Sequence, residues 1–216
     1  MCGIAGVSFL HPNSCADLED VLMPLGAAIA HRGPDSSGFW ADPELGVGLV
    51  HQRLAVLDLS SAGHQPMHSP GGRYVLAFNG EIYNHLSLRC ELEKGQSGAK
   101  WRGHSDTETL LAAIETWGLE DTLQRCNGMW ALALVDRCER RIHLARDRFG
   151  EKPIYWGISG TGAGKAVVFG SELSALRAFQ GFNNRIDRAT LTQFLQYGQV
   201  PTPLSIYSGI KKLPPG

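Results

Sequence analysis

The sequence lacks what a membrane protein, a disulfide scaffold or a nucleic-acid binder needs. Its longest uninterrupted apolar run, Met-Trp-Ala-Leu-Ala-Leu-Val at 129–135, is far short of the ~18 residues that span a bilayer. No Lys or Arg precedes Arg32, so the basic segment that opens a secretory signal peptide is missing and Cys2 reads as part of the mature chain. The cysteines are five (Cys2, Cys15, Cys90, Cys126 and Cys138), an odd number with no C-x-x-C pair, which suits a reducing compartment better than a disulfide framework. The expected location is the cytoplasm. Excess charge of either sign is also missing: 20 Lys and Arg stand against 21 Asp and Glu, for a net charge of -1. Without clustered basic residues to attract phosphate, neither a nucleic acid nor a membrane surface is expected as a partner.

What the chain does have is the composition of a globular protein, 43% hydrophobic and 19% charged, with enough length to bury full cores without staples. Glycine, 26 of 216 residues, falls between short apolar runs and punctuates them as turns. Strands are expected at 3–9, 46–51, 53–58, 73–78, 129–136, 141–146, 154–158 and 166–170. The hairpin-length links at 136–140 and 159–165 favour antiparallel pairing. Helical spacing covers 15–30, with Leu18, Val21, Leu22, Leu25 and Ile29 on one face, Ser14 and Asp17 as a capping box and Pro24 as a kink. It also covers 107–117, opened by Ser105 with Glu108 and closed by Gly118, and two shorter stretches, 84–92 and 188–197, the second capped by Asp187. Helices lie outside the strand blocks, so antiparallel sheets layered with helices are favoured. Residues 198–216 hold four prolines and no periodicity and read as a linker, which leaves 1–197 as the folded domain.

Four places could carry chemistry. Cys2 follows only Met1; removal of that methionine would put a thiol nucleophile and an α-amine base on one residue, with ordinary pKa values near ~8.5 and ~8 that let them share a proton. Taken alone, Cys2 reads first as the beginning of a buried strand. Phe78-Asn79-Gly80-Glu81 sets an amide side chain and an unhindered N–H at the end of an apolar strand, the parts of an oxyanion hole, although Asn-Gly is also the strongest hairpin-turn dipeptide. Arg53, alone in an otherwise apolar strand pair, needs an anion, either a bound carboxylate or an internal ion-pair partner. Asp106 at a helix start reads first as a cap favoured by the helix dipole.

Taken in order, Met1-Cys2-Gly3-Ile4-Ala5-Gly6, His31-Arg32-Gly33-Pro34-Asp35, Gln52-Arg53-Leu54, Asn79-Gly80-Glu81-Ile82-Tyr83-Asn84 and Ser105-Asp106-Thr107-Glu108 resemble a class II glutamine amidotransferase domain. The later segments Ala145-Arg146-Asp147-Arg148-Phe149-Gly150-Glu151-Lys152-Pro153, Gly170-Ser171-Glu172-Leu173 and Gly209-Ile210-Lys211-Lys212-Leu213-Pro214-Pro215-Gly216 are similar to those of glutamine-hydrolysing asparagine synthetases. The resemblance implies an α+β fold, a four-layer α/β/β/α sandwich of antiparallel sheets of the N-terminal nucleophile hydrolase type. It implies that Cys2 attacks the side-chain amide of L-glutamine and that its freed amine relays the proton. Asn79 and the Gly80 N–H would hold the oxyanion, Arg53 the substrate α-carboxylate, and Glu81 with Asp106 the α-ammonium. Leu54, Ala55, Val56 and Leu57 would line the binding strand.

The same resemblance implies no cofactor in these residues, and a C-terminal synthetase domain of the same chain, absent here, that uses ATP and Mg to amidate aspartate or a related acceptor with the released ammonia. A homodimer is left open. Two other functions compete: a non-catalytic glutamine-binding or assembly module with Cys2 blocked by Met1, and an N-terminal nucleophile amidohydrolase acting on other substrates.

Several segments are given no such role. Gly160-Thr161-Gly162-Ala163-Gly164-Lys165-Ala166 has Ser159 and Ala166 where a phosphate loop needs Gly and Ser or Thr, and it joins two strands, so it reads as a hairpin tip. Cys126, Cys138 and His143 lack zinc-ligand spacing, and no metal is expected. His31 reads as loop-closing. Asp147, Arg148 and Lys152 form a charged loop expected to meet the missing domain.

Overall fold

The computed structural model describes residues 1–12, 17–95 and 101–216. Among them, ten strands form two sheets in which every pairing is antiparallel. The strands are β1 (Gly3–Phe9), β2 (Ser36–Asp42), β3 (Val47–Arg53), β4 (Met67–His68), β5 (Tyr74–Ile82), β6 (Gly128–Asp136), β7 (Arg141–Arg146), β8 (Tyr155–Ser159), β9 (Ala166–Gly170) and β10 (Ile210–Lys212). One sheet runs β10-β8-β9-β1-β3-β2 and the other β4-β5-β6-β7. The helices are α1 (Leu18–Ala28), α2 (His85–Lys94), α3 (Asp106–Trp117), α4 (Leu119–Arg125), α5 (Leu173–Arg177) and α6 (Arg188–Tyr197).

Side-chain alternation along the strands sorts the apolar residues into three cores, which is what makes four layers. Ala5, Val7 and Phe9 of β1 meet Leu18, Leu22 and Leu25 of α1 and Leu176 of α5. On the opposite face of the molecule, Leu76 and Phe78 of β5 and Leu132 and Leu134 of β6 meet Leu88 of α2 and Leu110, Leu111 and Ile114 of α3. Between the sheets, Ile4 and Leu49 face Val75, Ala77, Ala131 and Ala133. Each fully buried Leu or Ile contributes about 1.5–3 kcal/mol. The resulting helix–sheet–sheet–helix order is the sandwich expected from the resemblance.

Local rules account for most boundaries. In α3, Ser105 Oγ accepts the Glu108 N–H at 3.2 Å, and Gly118, at φ 84, ends the helix. The box is half-made, because the Glu108 carboxylate turns to the Arg102 and Gly103 N–H groups instead. Asp187 caps α6 through Thr190 N–H at 2.8 Å. Helix α1 starts later than its periodicity suggests, at Leu18 with Asp17 as cap; Ser14 and Cys15 lie outside the described residues. The glycine-rich 160–166 segment is indeed the tip of the β8–β9 hairpin.

The expected strand at 53–58 does not form. The chain leaves β3 at Arg53 because its guanidinium turns back on the segment, Nη1 donating to Ser60 O at 2.9 Å and Nη2 to Asp58 O. The N–H groups of Leu54 and Ala55 go to Cys2 Sγ and Asp35 rather than to a neighbouring strand. Strands β2, β4 and β10 and helices α4 and α5 go beyond the sequence expectation. Within the stretch read as linker, Ile210, Lys211 and Lys212 pair with β8, and Leu213 N–H donates to Ile154 O at 2.9 Å.

Candidate active site

Strand parity carries the functional side chains to one place. Cys2 has the parity of Ile4, which faces the space between the sheets, and β1 is aligned so that Gly3 opposes Gln52. Cys2 therefore lies beside the end of β3, and its thiol meets the Leu54 backbone, 3.5 Å from the carbonyl oxygen and 3.4 Å from the N–H nitrogen. On the other sheet, Asn79 and Glu81 have the parity of Val75 and Ala77. Both sets converge on a pocket of about 280 Å³ at the end of the inter-sheet layer. All ten residues singled out from the sequence line it: Cys2, Arg53, Leu54, Ala55, Val56, Leu57, Asn79, Gly80, Glu81 and Asp106.

The edge of β5 leaves one backbone donor open towards the pocket. Even-numbered residues of this strand turn their backbone groups away from β6, since Trp130, opposite Gly80, spends its own N–H and C=O on Asp147. Along that edge the Phe78 N–H donates to Gln65 Oε1 at 2.6 Å, and the Ile82 N–H to Asp106 Oδ2 at 2.8 Å. Gly80 N–H lies between them, facing the pocket. Beside it the Asn79 side chain is 1% exposed, with Nδ2 buried and unpartnered among the described residues. An unpaired buried donor is costly unless something arrives to accept from it. Position 80 requires glycine, because a Cβ there would stand 2.3 Å from Met129 O and 2.6 Å from Trp130 Cα.

Charged groups surround this donor pair. Arg53 is half-buried and has no ion-pair partner among the described residues; its contacts are the carbonyls of Asp58 and Ser60, so the internal ion pair is not what the fold built. Gly63 packs against its guanidinium, and a Cβ there would stand 2.3 Å from Nη2 and push it aside. Asp58 sets this loop: Oδ1 accepts from Ser60 N–H and Oγ–H, and Oδ2 from His104 N–H at 2.9 Å. The Ser60 hydroxyl and these N–H donors lower its pKa to about 2. Asp106 is not the cap of α3, since Ser105 is; its carboxylate accepts from Ile82 and Thr107 N–H. Burial raises the Asp106 pKa against those two bonds, a setting in which an arriving cation would be welcomed by the carboxylate form.

Residues that the sequence reading gave no part in the site now have one. Arg32 Nε donates to Cys2 O at 3.0 Å while Nη1 pairs with Glu172 at 2.7 Å, and His31 joins Glu172 at 3.1 Å. Burial pushes the Glu172 carboxyl up, and Arg32 and His31 overcome it to hold the group ionised. His31 and Arg32 thus share Glu172, and Arg32 anchors Cys2 through its carbonyl. Their motif was visible; their shared partner, far away in sequence, was not. Gln65 gave no signal beyond its place before Pro66. Asp147 is buried, accepting N–H bonds from Trp130, Phe149, Glu151 and Lys152. Arg148 is exposed and donates to the carbonyls of Gln124 and Cys126, while Lys152, like Asp147, is buried. Cys126 is buried and its thiol is pushed up to about 12, which makes it unreactive. Among the described residues no group of three or more His, Cys, Asp or Glu side chains could hold a metal ion, and no helix is long and apolar enough to cross a membrane.

The whole chain, residues 1–216, matches the family described as glutamine amidotransferase domain. The chain belongs to that family. Over its full length the amidotransferase domain is 36% identical to asparagine synthetase [glutamine-hydrolyzing] 1 of Bacillus subtilis, covering 33% of that protein. It is 37% identical to a putative asparagine synthetase [glutamine-hydrolyzing] of Mycobacterium bovis, with 93% of this chain and 31% of that one aligned. The domain thus spans about a third of the length of these relatives. Among solved structures, the glutamine phosphoribosylpyrophosphate amidotransferase of B. subtilis superposes with a TM-score of 0.63 at 20% identity, over 82% of this chain and 43% of that one. That likeness is one of fold.

Proposed function

We propose that this amidotransferase domain hydrolyses L-glutamine to glutamate and ammonia, with Cys2 as nucleophile once Met1 is removed. The observation that carries the reading is the donor pair opposite the Cys2 strand: Gly80 N–H, left open between two satisfied neighbours, and the unpartnered Asn79 Nδ2. In the proposed reaction the freed α-amine takes the thiol proton, and the thiolate sulfur bonds to the side-chain amide carbon. The oxyanion is held by Asn79 and Gly80, a contribution of about 2.7–4 kcal/mol per donor. The C–N bond then breaks as the amine returns its proton to the leaving nitrogen, giving ammonia and a thioester that water hydrolyses. Arg53 takes the α-carboxylate, Asp106 and Glu81 the α-ammonium, and Leu54, Ala55, Val56 and Leu57 form the wall.

For the whole protein we infer a cytoplasmic enzyme whose C-terminal synthetase domain binds ATP and Mg and uses the ammonia to amidate aspartate or a related acceptor, with residues 198–216 leading towards it. The support is the identity to asparagine synthetases three times as long. The test is a glutamate assay without ATP on the processed domain, on Cys2→Ala and on a form that retains Met1. Activity confined to the processed native form supports the mechanism; equal activity in either of the other two overturns it.

A further inference from the structure

Lys152 is 6% exposed and lines the pocket, yet no carboxylate pairs with it among the described residues. Its backbone is fixed on both sides, N–H donating to Asp147 Oδ2 at 3.1 Å and the carbonyl accepting from Arg146 Nε at 2.6 Å. Its ammonium reaches the N-terminus and contacts Met1 Sδ at 3.2 Å. A buried cation with only a thioether for company is expensive unless it does something there. A glutamine zwitterion already has Arg53 for its one carboxylate, so the second cation is surplus to substrate binding.

We propose that Lys152 is a positioning residue for the nucleophile: its ammonium repels a proton from the freed α-amine of Cys2 and so keeps that amine in the neutral, proton-accepting form near neutral pH. This inference rests on the proposed N-terminal nucleophile reading. The reach of one extended methionine residue beyond the Met1 Sδ contact places the ammonium within about 10 Å of the Cys2 nitrogen. At that range, in a partly desolvated pocket, like charges displace a titration by about one pH unit. The other charges facing the Cys2 terminus are Arg53 at the end of β3, Arg32 on the Cys2 carbonyl, Asp35 and Asp58 in the loops, Glu81 on β5 and Asp106 on α3. Asp58 and Asp35 are engaged with backbone N–H groups, and His51, behind Arg53 on β3, is held neutral by burial. Glu81 and Asp106 oppose Lys152 until the substrate ammonium offsets them.

The experiment compares processed native protein, Lys152→Met and Lys152→Arg by two readouts. One is the pH dependence of glutaminase kcat/KM. The other is the titration of the Cys2 Cα resonance in 13C-cysteine-labelled protein, assigned by its loss in Cys2→Ala. Lys152→Gln serves as the neutral variant should Lys152→Met not fold. The expected result is an acid limb and an amine midpoint about one pH unit higher in the neutral variant, with the native positions restored in Lys152→Arg. Unchanged midpoints, or a shift equally large in Lys152→Arg, overturn the proposal, as does a neutral variant that only raises KM for glutamine. A displaced amine midpoint in protein that hydrolyses no glutamine leaves this proposal standing and sinks the proposed function instead.

Discussion

His51 Nε2–H donates to the Phe78 carbonyl at 3.1 Å, joining the strand that ends beside Cys2 to the strand that carries Asn79 and Gly80. With Gln65 on the Phe78 N–H, both polar groups of that residue are held, one step before Asn79 and Gly80, the proposed oxyanion donors. His51 is fully buried, and desolvation lowers its pKa from 6.5 to about 3.

The sign of the resulting pH dependence follows. The unfolded chain protonates this imidazole below pH 6.5 and the folded one does not, so the stability it contributes is present above 6.5 and is lost as pH falls from there towards 3. The slope attributable to His51 should reach about 1.4 kcal/mol per pH unit in that window. Urea unfolding of native protein and His51→Gln between pH 7 and about 4 should show the native curve falling more steeply. Parallel curves would mean that His51 is protonated in the fold.

Gly80→Ala should damage chemistry and packing together. The added Cβ meets the backbone of β6 at Met129 and Trp130 rather than a movable side chain, so β5 must shift and carry the Gly80 N–H with it. A loss of about 1–3 kcal/mol of stability is expected for overpacking, with kcat lowered by 100-fold or more. Native kinetics in a stable Gly80→Ala protein would remove this N–H from the oxyanion site.

Asn79→Ala should lower kcat by about 100-fold or more, with KM changed much less, if Asn79 is the oxyanion donor proposed, since such a donor acts on the transition state. The buried Nδ2 has no partner among the described residues, so little stability should be lost with it. A rise in KM at constant kcat would make Asn79 a substrate-binding residue only.

Arg53→Lys should weaken glutamine binding more than tenfold while the protein still folds. A point-charge ammonium cannot hold the carbonyls of Asp58 and Ser60 and also present a fork to a carboxylate. Calorimetry with the Cys2→Ala background measures the binding without turnover; native affinity would mean that Arg53 serves the loop alone.

The sequence by itself determined the elements whose signals are local. The apolar alternation of 3–9, 129–136 and 141–146, the Ser105 and Asp187 caps and the turn glycines all reappear in the fold, since periodicity and capping depend on residues a few positions apart. The motifs also fixed the residues that meet around the pocket. What only the tertiary structure decided depends on partners far away in sequence. Residues 53–58 have strand-like composition, but Cys2 and Asp35 claim the N–H groups of Leu54 and Ala55. β10 exists because β8 offers it an edge. Asp106 is a plausible cap on its own helix until Ile82, from another layer, donates to it. The open Gly80 N–H has the same origin: Gln65, Asp106 and Asp147 take the N–H groups of Phe78, Ile82 and Trp130 around it.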